Sequence, residues 1–358
     1  MGAVTSLAEA IKAEQKVKVK WGFIWALWCA ILWGLWYIPG TVVWYAPPYG
    51  EWAPPLFPGT DPLGEFLAAA VVITTFNAVW VLIFLLVWVG VLGKFGELIR
   101  TLRNFTNISK WFWLGAICGG PIAIFGSFMA MGIIGGAFAA AAALVYPVVG
   151  ATIAKLWYKE RISPRTYLGI VLIILGGILI FNPLDMIAQL QNPAAPEVLF
   201  LGYLGGAMAF LGWGIEGAVA ARALDVSDPD IGITVRFMGE VFYWIIIICP
   251  LTAALFGWNI YPLLSATANA DAQVWLVAAG ITFAFCYVSW YKSFPLIGVG
   301  RGQAIAALYG PLAVIFVILF LGGVPAWWLI LGVIVAVIGT FIMYYWEGAV
   351  VEETTREM

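Results

Sequence analysis

The stretch GIVLIILGGILI, residues 169–180, carries no charge and no strongly polar side chain, and neither does LIFLLVWVGVLG at 82–93. Only helices and closed barrels satisfy their backbone groups inside a bilayer. Barrel strands alternate apolar and polar residues over about ten positions, so continuous runs such as these read as helices. Working outward from them, apolar stretches of about 18 residues or more recur at roughly 21–44, 66–92, 111–131, 135–157, 164–182, 198–223, 231–257, 271–294, 298–321 and 325–346. The 358 residues are 63% hydrophobic and 10% charged, with a mean hydropathy of +0.99. Soluble proteins carry about 25% charged residues, so part of this chain's solvent is lipid. The fold class predicted is an all-α integral membrane protein with ten transmembrane helices.

The 17 Lys and Arg residues orient those helices. Lys12, Lys16, Lys18 and Lys20 precede the first span, and Lys94, Arg100, Arg103 and Lys110 lie between the second and third. Lys155, Lys159, Arg161 and Arg165 surround the turn from the fourth to the fifth. Arg222 and Arg236 flank the sixth-to-seventh turn, Lys292 and Arg301 the eighth-to-ninth, and Arg356 lies in the tail. With a cytoplasmic N-terminus none falls outside, so the positive-inside rule predicts a multi-pass protein of the cell (cytoplasmic) membrane with both termini cytoplasmic. The polar opening MGAVTSLAEAIKAEQKVKVK lacks an apolar stretch ending in a small-residue cleavage site, so the first span reads as a retained helix. That topology makes the sequons at Asn104 and Asn107 chance matches.

Histidine is absent and the four cysteines, Cys29, Cys118, Cys249 and Cys286, stand singly in the spans. No metal site and no cofactor is predicted from them. Without a basic aromatic patch, no nucleic-acid partner is expected.

Two halves of the chain echo each other. IGGAFAAAAALVYP (134–147) aligns with IGVGRGQAIAALYG (297–310), matching Tyr146 to Tyr309. AILWGLWY (30–37) aligns more weakly with FLGWGIEG (210–217), matching Trp33-Gly34 to Trp213-Gly214. Asn77 and Glu240 each sit near mid-membrane shortly before a tryptophan, Trp80 or Trp244. Five spans per half is an odd number, so the second half is inverted relative to the first, and such repeats place a site at the midplane between them. The domain plan is a cytoplasmic segment 1–20, a five-helix repeat 21–182, an extracytoplasmic linker 183–197, a second repeat 198–346 and a cytoplasmic tail 347–358.

The segment 126–181 is similar to the drug/metabolite transporter superfamily, the EamA-like permeases. The likeness lies in Leu144 to Pro147, the Glu160-Arg161 turn, and the glycines Gly169, Gly176 and Gly177. The second copy, 297–342, resembles it more loosely. The resemblance implies a carrier that alternates access around a central cavity.

The site is sought among charges in the oil. In TVRFMGEVFYWIIIIC (234–249), Arg236 and Glu240 are four residues apart, a spacing that pairs them along one helix face. Arg236, about 8 Å into its span at 1.5 Å per residue, is expected to snorkel to the cytoplasm and to form a structural ion pair. Glu216 in the sixth span makes two carboxylates for one guanidinium, leaving one to take a proton or a cation. Trp33, Trp36, Tyr37, Tyr146, Trp213 and Tyr309 lie too deep to be interface anchors, whereas Trp21 and Trp44 read as anchors. Aromatic faces beside a carboxylate make a cage for an organic cation, though helix packing is the commoner use of such rings. The substrate-binding set is therefore Glu240, Glu216, Trp33, Trp36, Tyr37, Asn77, Tyr146, Trp213 and Tyr309.

These features predict a secondary transporter for a small organic cation, such as a methylated or quaternary amine. The alternatives are a proton-coupled permease for a neutral metabolite, an amino acid or sugar, and a non-transporting scaffold or receptor. No catalytic constellation is visible, so the chain is not expected to be an enzyme. Its partners would be a small solute, the lipid bilayer and, through a carboxylate, protons, in a monomer or homodimer.

Overall fold

The computed structural model describes residues 7–50, 61–157, 164–191, 199–224, 226–297, 299–322 and 324–344. Residues 51–60 of the loop after the first helix, Lys159, the Glu160-Arg161 turn, residues 192–197 of the 183–197 linker and the 347–358 tail with Arg356 lie outside the described residues. Among those described, all regular structure is helical: α1 (Leu7–Val42), α2 (Pro62–Val91), α3 (Phe95–Arg103), α4 (Lys110–Ile117), α5 (Phe125–Ile133), α6 (Gly136–Ala143), α7 (Tyr146–Trp157), α8 (Pro164–Phe181), α9 (Pro183–Gln191), α10 (Leu199–Leu224), α11 (Pro229–Phe242), α12 (Cys249–Phe256), α13 (Ile260–Thr267), α14 (Ala270–Ile297), α15 (Val299–Ala306), α16 (Tyr309–Leu321) and α17 (Trp327–Tyr344).

Local chemistry sets many of these ends. Asp61 caps α2 by accepting from the Gly64 N–H at 2.6 Å, and Asp228 caps α11 by accepting from the Asp230 and Ile231 N–H groups. A proline opens each of the two helices, where no N–H is needed. Pro121 cannot complete an α-helical ladder, and a wide π-type turn over Cys118–Ile124 carries α4 into α5. A similar turn over Tyr243–Ile248 joins α11 to α12. The small-residue segments break at matching places, between α6 and α7 just before Tyr146 and between α15 and α16 just before Tyr309.

Among the described residues, eight helical segments are long and apolar enough to cross a bilayer, which fits a multi-pass membrane protein. Tyr309–Leu321 and Trp327–Ile342 are apolar but shorter. Val87, Leu175, Ile178, Ile246, Leu255, Leu319 and Phe320 are exposed on the outside of the bundle, a surface suited to lipid and not to water. Trp21 is half exposed, as an anchor would be. Trp44 is not: it is buried, stacked on Phe66 with ring centroids 4.9 Å apart.

Inside, α1 runs along α14 and α16, α10 crosses the segment from α4 to α5, and α8 packs along α17. The α8–α17 contact rests on missing side chains. A Cβ added at Gly176 would come within 2.7 Å of the Gly332 carbonyl oxygen, and one at Gly339 within 2.8 Å of the Gly169 carbonyl. Backbone against backbone is how membrane helices gain dispersion energy without a hydrophobic drive.

Polar contacts close the bundle at two places. At one, Lys94 Nζ pairs with Asp228 at 2.7 Å and Asp230 at 3.1 Å, Lys292 Nζ pairs with Asp230 at 3.1 Å, and the Trp88 indole donates to Asp230 at 2.9 Å. Burial disfavours the Lys94 charge, but the Asp228 and Asp230 carboxylates outweigh it and the ammonium's pKa is raised. At the other, the Tyr49 and Thr267 hydroxyls are 2.5 Å apart and the Asn269 amide donates to the Pro47 carbonyl at 2.9 Å.

Replacing Gly176 with Leu should force α8 and α17 apart at a cost of about 1–3 kcal/mol. The thermal unfolding midpoint of the purified protein should fall by several degrees; an unchanged midpoint would show that this seam does not need close approach.

Candidate functional site

Arg236 and Glu240 stand one turn apart on α11, and Glu216 projects from α10. The Arg236 Nε donates to Glu216 Oε1 at 2.7 Å, and its Nη1 donates to Glu240 Oε2. All three side chains are fully buried. Two sequence expectations therefore change. Arg236 does not snorkel to the surface, because its guanidinium is held between two carboxylates in the interior. Neither carboxylate is left over without a partner, because one guanidinium serves both. The charge count is unchanged: with all three ionised, the group carries one net negative charge.

Tyrosines and tryptophans complete the shell. Tyr287 donates to Glu216 Oε2 at 2.9 Å and accepts from the Trp213 indole at 2.9 Å. Trp244 donates to Glu240 Oε1 at 3.4 Å, and Tyr291 reaches Glu216 Oε1 at 3.5 Å. The guanidinium also lies over the Phe237 and Tyr287 rings, 4.1 and 5.0 Å from their centroids.

The fourth wall has no side chains. A Cβ at Gly119 would overlap Glu216 and Arg236, and one at Gly120 would lie 2.6 Å from Glu240. Both glycines sit in the wide turn after α4, so the Gly-Gly-Pro sequence at 119–121 makes the room that the ion group occupies. Gly115, one turn earlier, would bring a Cβ no nearer than 3.7 Å to Glu216.

The predicted aromatic residues do come together. Trp33 on α1 is the hub: its ring stacks on Tyr309 at 4.5 Å and meets Trp213 edge-on at 4.9 Å, with Tyr146 at 6.1 Å and Tyr287 at 6.3 Å. Trp36 stacks on Phe283 at 4.2 Å and donates its N–H to Asn77 Oδ1 at 3.2 Å. Tyr37 lies parallel to Tyr309 at 6.1 Å. Tyr146 donates to the Gln303 carbonyl at 2.8 Å. Trp213 and Tyr287 join this cluster to the ion group, so all nine nominated side chains and Arg236 form one connected body with almost no solvent exposure.

Sequence reasoning missed Tyr287, Trp290 and Tyr291. The signal was present: Tyr287, Trp290, Tyr291 and Phe294 follow the i, i+3, i+4, i+7 spacing of one helix face. Cys29 and Cys286, read as isolated, bring their Sγ atoms to 3.8 Å between α1 and α14. The Lys94–Asp228–Asp230–Lys292 cluster was also unforeseen.

Gly119→Ala should drive the new methyl into the ion group and lower stability by about 1–3 kcal/mol, whereas Gly115→Ala should be nearly neutral. Thermal unfolding of the two variants side by side distinguishes a shaped wall from general helix crowding. Arg236→Met should cost more, about 3–5 kcal/mol at neutral pH, because it strands two buried carboxylates; a midpoint close to wild type would mean that Arg236 is not what balances them.

No protein-family model matches the chain, and no curated relative matches it. It is similar in structure to a solved protein described only as "Crystal structure of protein", with 16% sequence identity, a TM-score of 0.53, and coverage of 90% of this chain and 96% of that one. At that identity the likeness speaks for a shared fold along nearly the whole of both chains, and for nothing further.

Proposed function

We propose that the chain is a secondary carrier of the drug/metabolite transporter kind, built as ten membrane helices in two inverted five-helix repeats, which moves a small organic cation across the cell membrane by alternating access. Arg236 with its two glutamates inside the aromatic cluster is the observation that carries this reading. A buried group with one net negative charge is unstable in hydrocarbon unless a counter-charge or a proton reaches it. An organic cation and a proton would compete for that one charge, and mutually exclusive occupancy is the chemical basis of exchange. The indole and phenol faces around it favour a weakly hydrated ammonium over a small inorganic ion.

Pairing between the halves supports the repeat. Trp33 and Trp213, matched in sequence, touch; Tyr146 and Tyr309, also matched, both reach Trp33. Residues related by a pseudo-two-fold axis meet in this way when they lie near it. In the same alignment Trp36 corresponds to Glu216, so the neutral Trp36–Asn77 hydrogen bond of the first half stands where the second half has its ion group. The closures at Lys94–Asp228 and Tyr49–Thr267 favour an occluded arrangement. With Lys94 and Lys292 at the first closure, the positive-inside rule makes that end cytoplasmic.

In proteoliposomes with an outward proton gradient, the purified protein should take up tetramethylammonium with saturation. Glu216→Gln and Glu240→Gln should each reduce that uptake at least tenfold while the protein still folds. Uptake that never saturates would indicate a channel, and absence of flux for amines and neutral metabolites alike would indicate a scaffold or receptor. Unimpaired gradient-driven flux in both variants would remove the carboxylates from the mechanism.

A further inference from the structure

Buried polar atoms are almost always hydrogen-bonded. Around Trp33, several are not. The Trp33 indole N–H and the hydroxyls of Tyr37, Ser127 and Tyr309 are buried and hold no hydrogen bond of normal geometry. They belong together: the Tyr37 ring lies parallel to the Tyr309 ring, which is stacked on Trp33, and the Tyr37 hydroxyl is near enough to Ser127, Tyr309 and Trp33 for weak contacts among them. Asn77 adds to the pattern. Its carbonyl accepts from Trp36, which fixes the amide's orientation and leaves Nδ2 as a donor without an acceptor.

The balance of these groups leans toward donors, because the hydroxyls both donate and accept while the N–H groups cannot accept. All of them can donate, and the indole and amide N–H groups can only donate. An ammonium head can use the ring faces and the hydroxyl oxygens but leaves the indole and amide N–H groups without an acceptor. Such a group is suited to an oxygen with free lone pairs. The ion group supplies the opposite polarity, and Tyr287 connects the two: its hydroxyl holds Glu216 and its ring adjoins Trp33.

We propose that Trp33, Tyr37, Ser127 and Tyr309 form an acceptor-binding subsite, which holds a carboxylate or carbonyl oxygen of the same substrate whose cationic end lies against Glu216 and Glu240. The preferred substrate is then a zwitterion or a carbonyl-bearing amine, with a bare alkylammonium a weaker one that engages the cation site alone. This rests on the cation reading given above for the ion group.

Three isosteric probes separate the two claims by calorimetry or thermal shift on the purified full chain. Trimethylglycine carries both ends, isobutyltrimethylammonium keeps the cation and replaces the carboxylate, and 3,3-dimethylbutyrate keeps the carboxylate and replaces the cation with carbon. Trimethylglycine should bind at least tenfold more tightly than either. Tyr37→Phe and Tyr309→Phe, which keep the rings, should remove most of its advantage without weakening isobutyltrimethylammonium. Equal binding of trimethylglycine and isobutyltrimethylammonium would overturn the acceptor subsite, its donors serving water alone, and leave the cation site standing. If 3,3-dimethylbutyrate binds as well as trimethylglycine and loses affinity in the Phe variants, the cation reading falls and the acceptor subsite remains. Absence of binding by all three overturns both.

Discussion

A guanidinium held between two carboxylates in the interior of a lipid-facing bundle constrains the rest of the molecule. Ions at that depth are costly unless each finds a partner. Arg236 therefore needs α10 close enough to present Glu216, and its own helix must put Glu240 one turn below. Neither approach is possible without space, and Gly119 and Gly120 give it by removing side chains from the opposing helix. The wide turns at Cys118–Ile124 and Tyr243–Ile248 flank the same group. Turns of this type collect at functional sites because they re-aim side chains without ending a helix.

Much of this was legible in the sequence. Long uninterrupted apolar runs gave the helices, since a bilayer leaves the backbone few other choices. Gly169, Gly176 and Gly177 stood out in the fifth run, and Gly169 and Gly176 are where α8 meets α17. Tyr146 and Tyr309 were paired by the small residues before them, and they converge on one tryptophan. What the sequence hid depends on contacts between distant segments. Nothing local to Arg236 says whether it turns to water or inward; Glu216 lies on another helix, and only the packing of α10 on α11 decides. Lys94 and Asp228 are far apart in sequence, so their pairing had no periodic signature. Nothing in the Gly-Gly-Pro at 119–121 itself marks it as the wall of a polar site; that follows only from the Glu216, Arg236 and Glu240 side chains that face it.

The two ends of the bundle are held differently. One uses four charged groups and an indole, the other a pair of hydroxyls and an amide donating to a backbone carbonyl. Charged contacts near water are screened by salt and depend on both partners staying ionised, whereas neutral hydrogen bonds respond to neither condition. The connecting core between them is aromatic and tightly interlocked, so a rearrangement at one end meets rings whose edges and faces have to move together.

The imbalance of one charge in the ion group has an electrical meaning. If the group binds a cation or a proton as proposed, it is negative when empty and neutral when occupied, and such a site inside a membrane does not sit passively in the transmembrane field. Moving one elementary charge through the whole of that field is worth about 2.3 kcal/mol per 100 mV, and a partial traverse is worth a proportional share. In the proposed repeat, the first half has the neutral Trp36–Asn77 hydrogen bond at the equivalent position and would contribute no such term. In such a carrier, voltage would act on one of the two proposed halves and not the other, making the membrane potential a directional force.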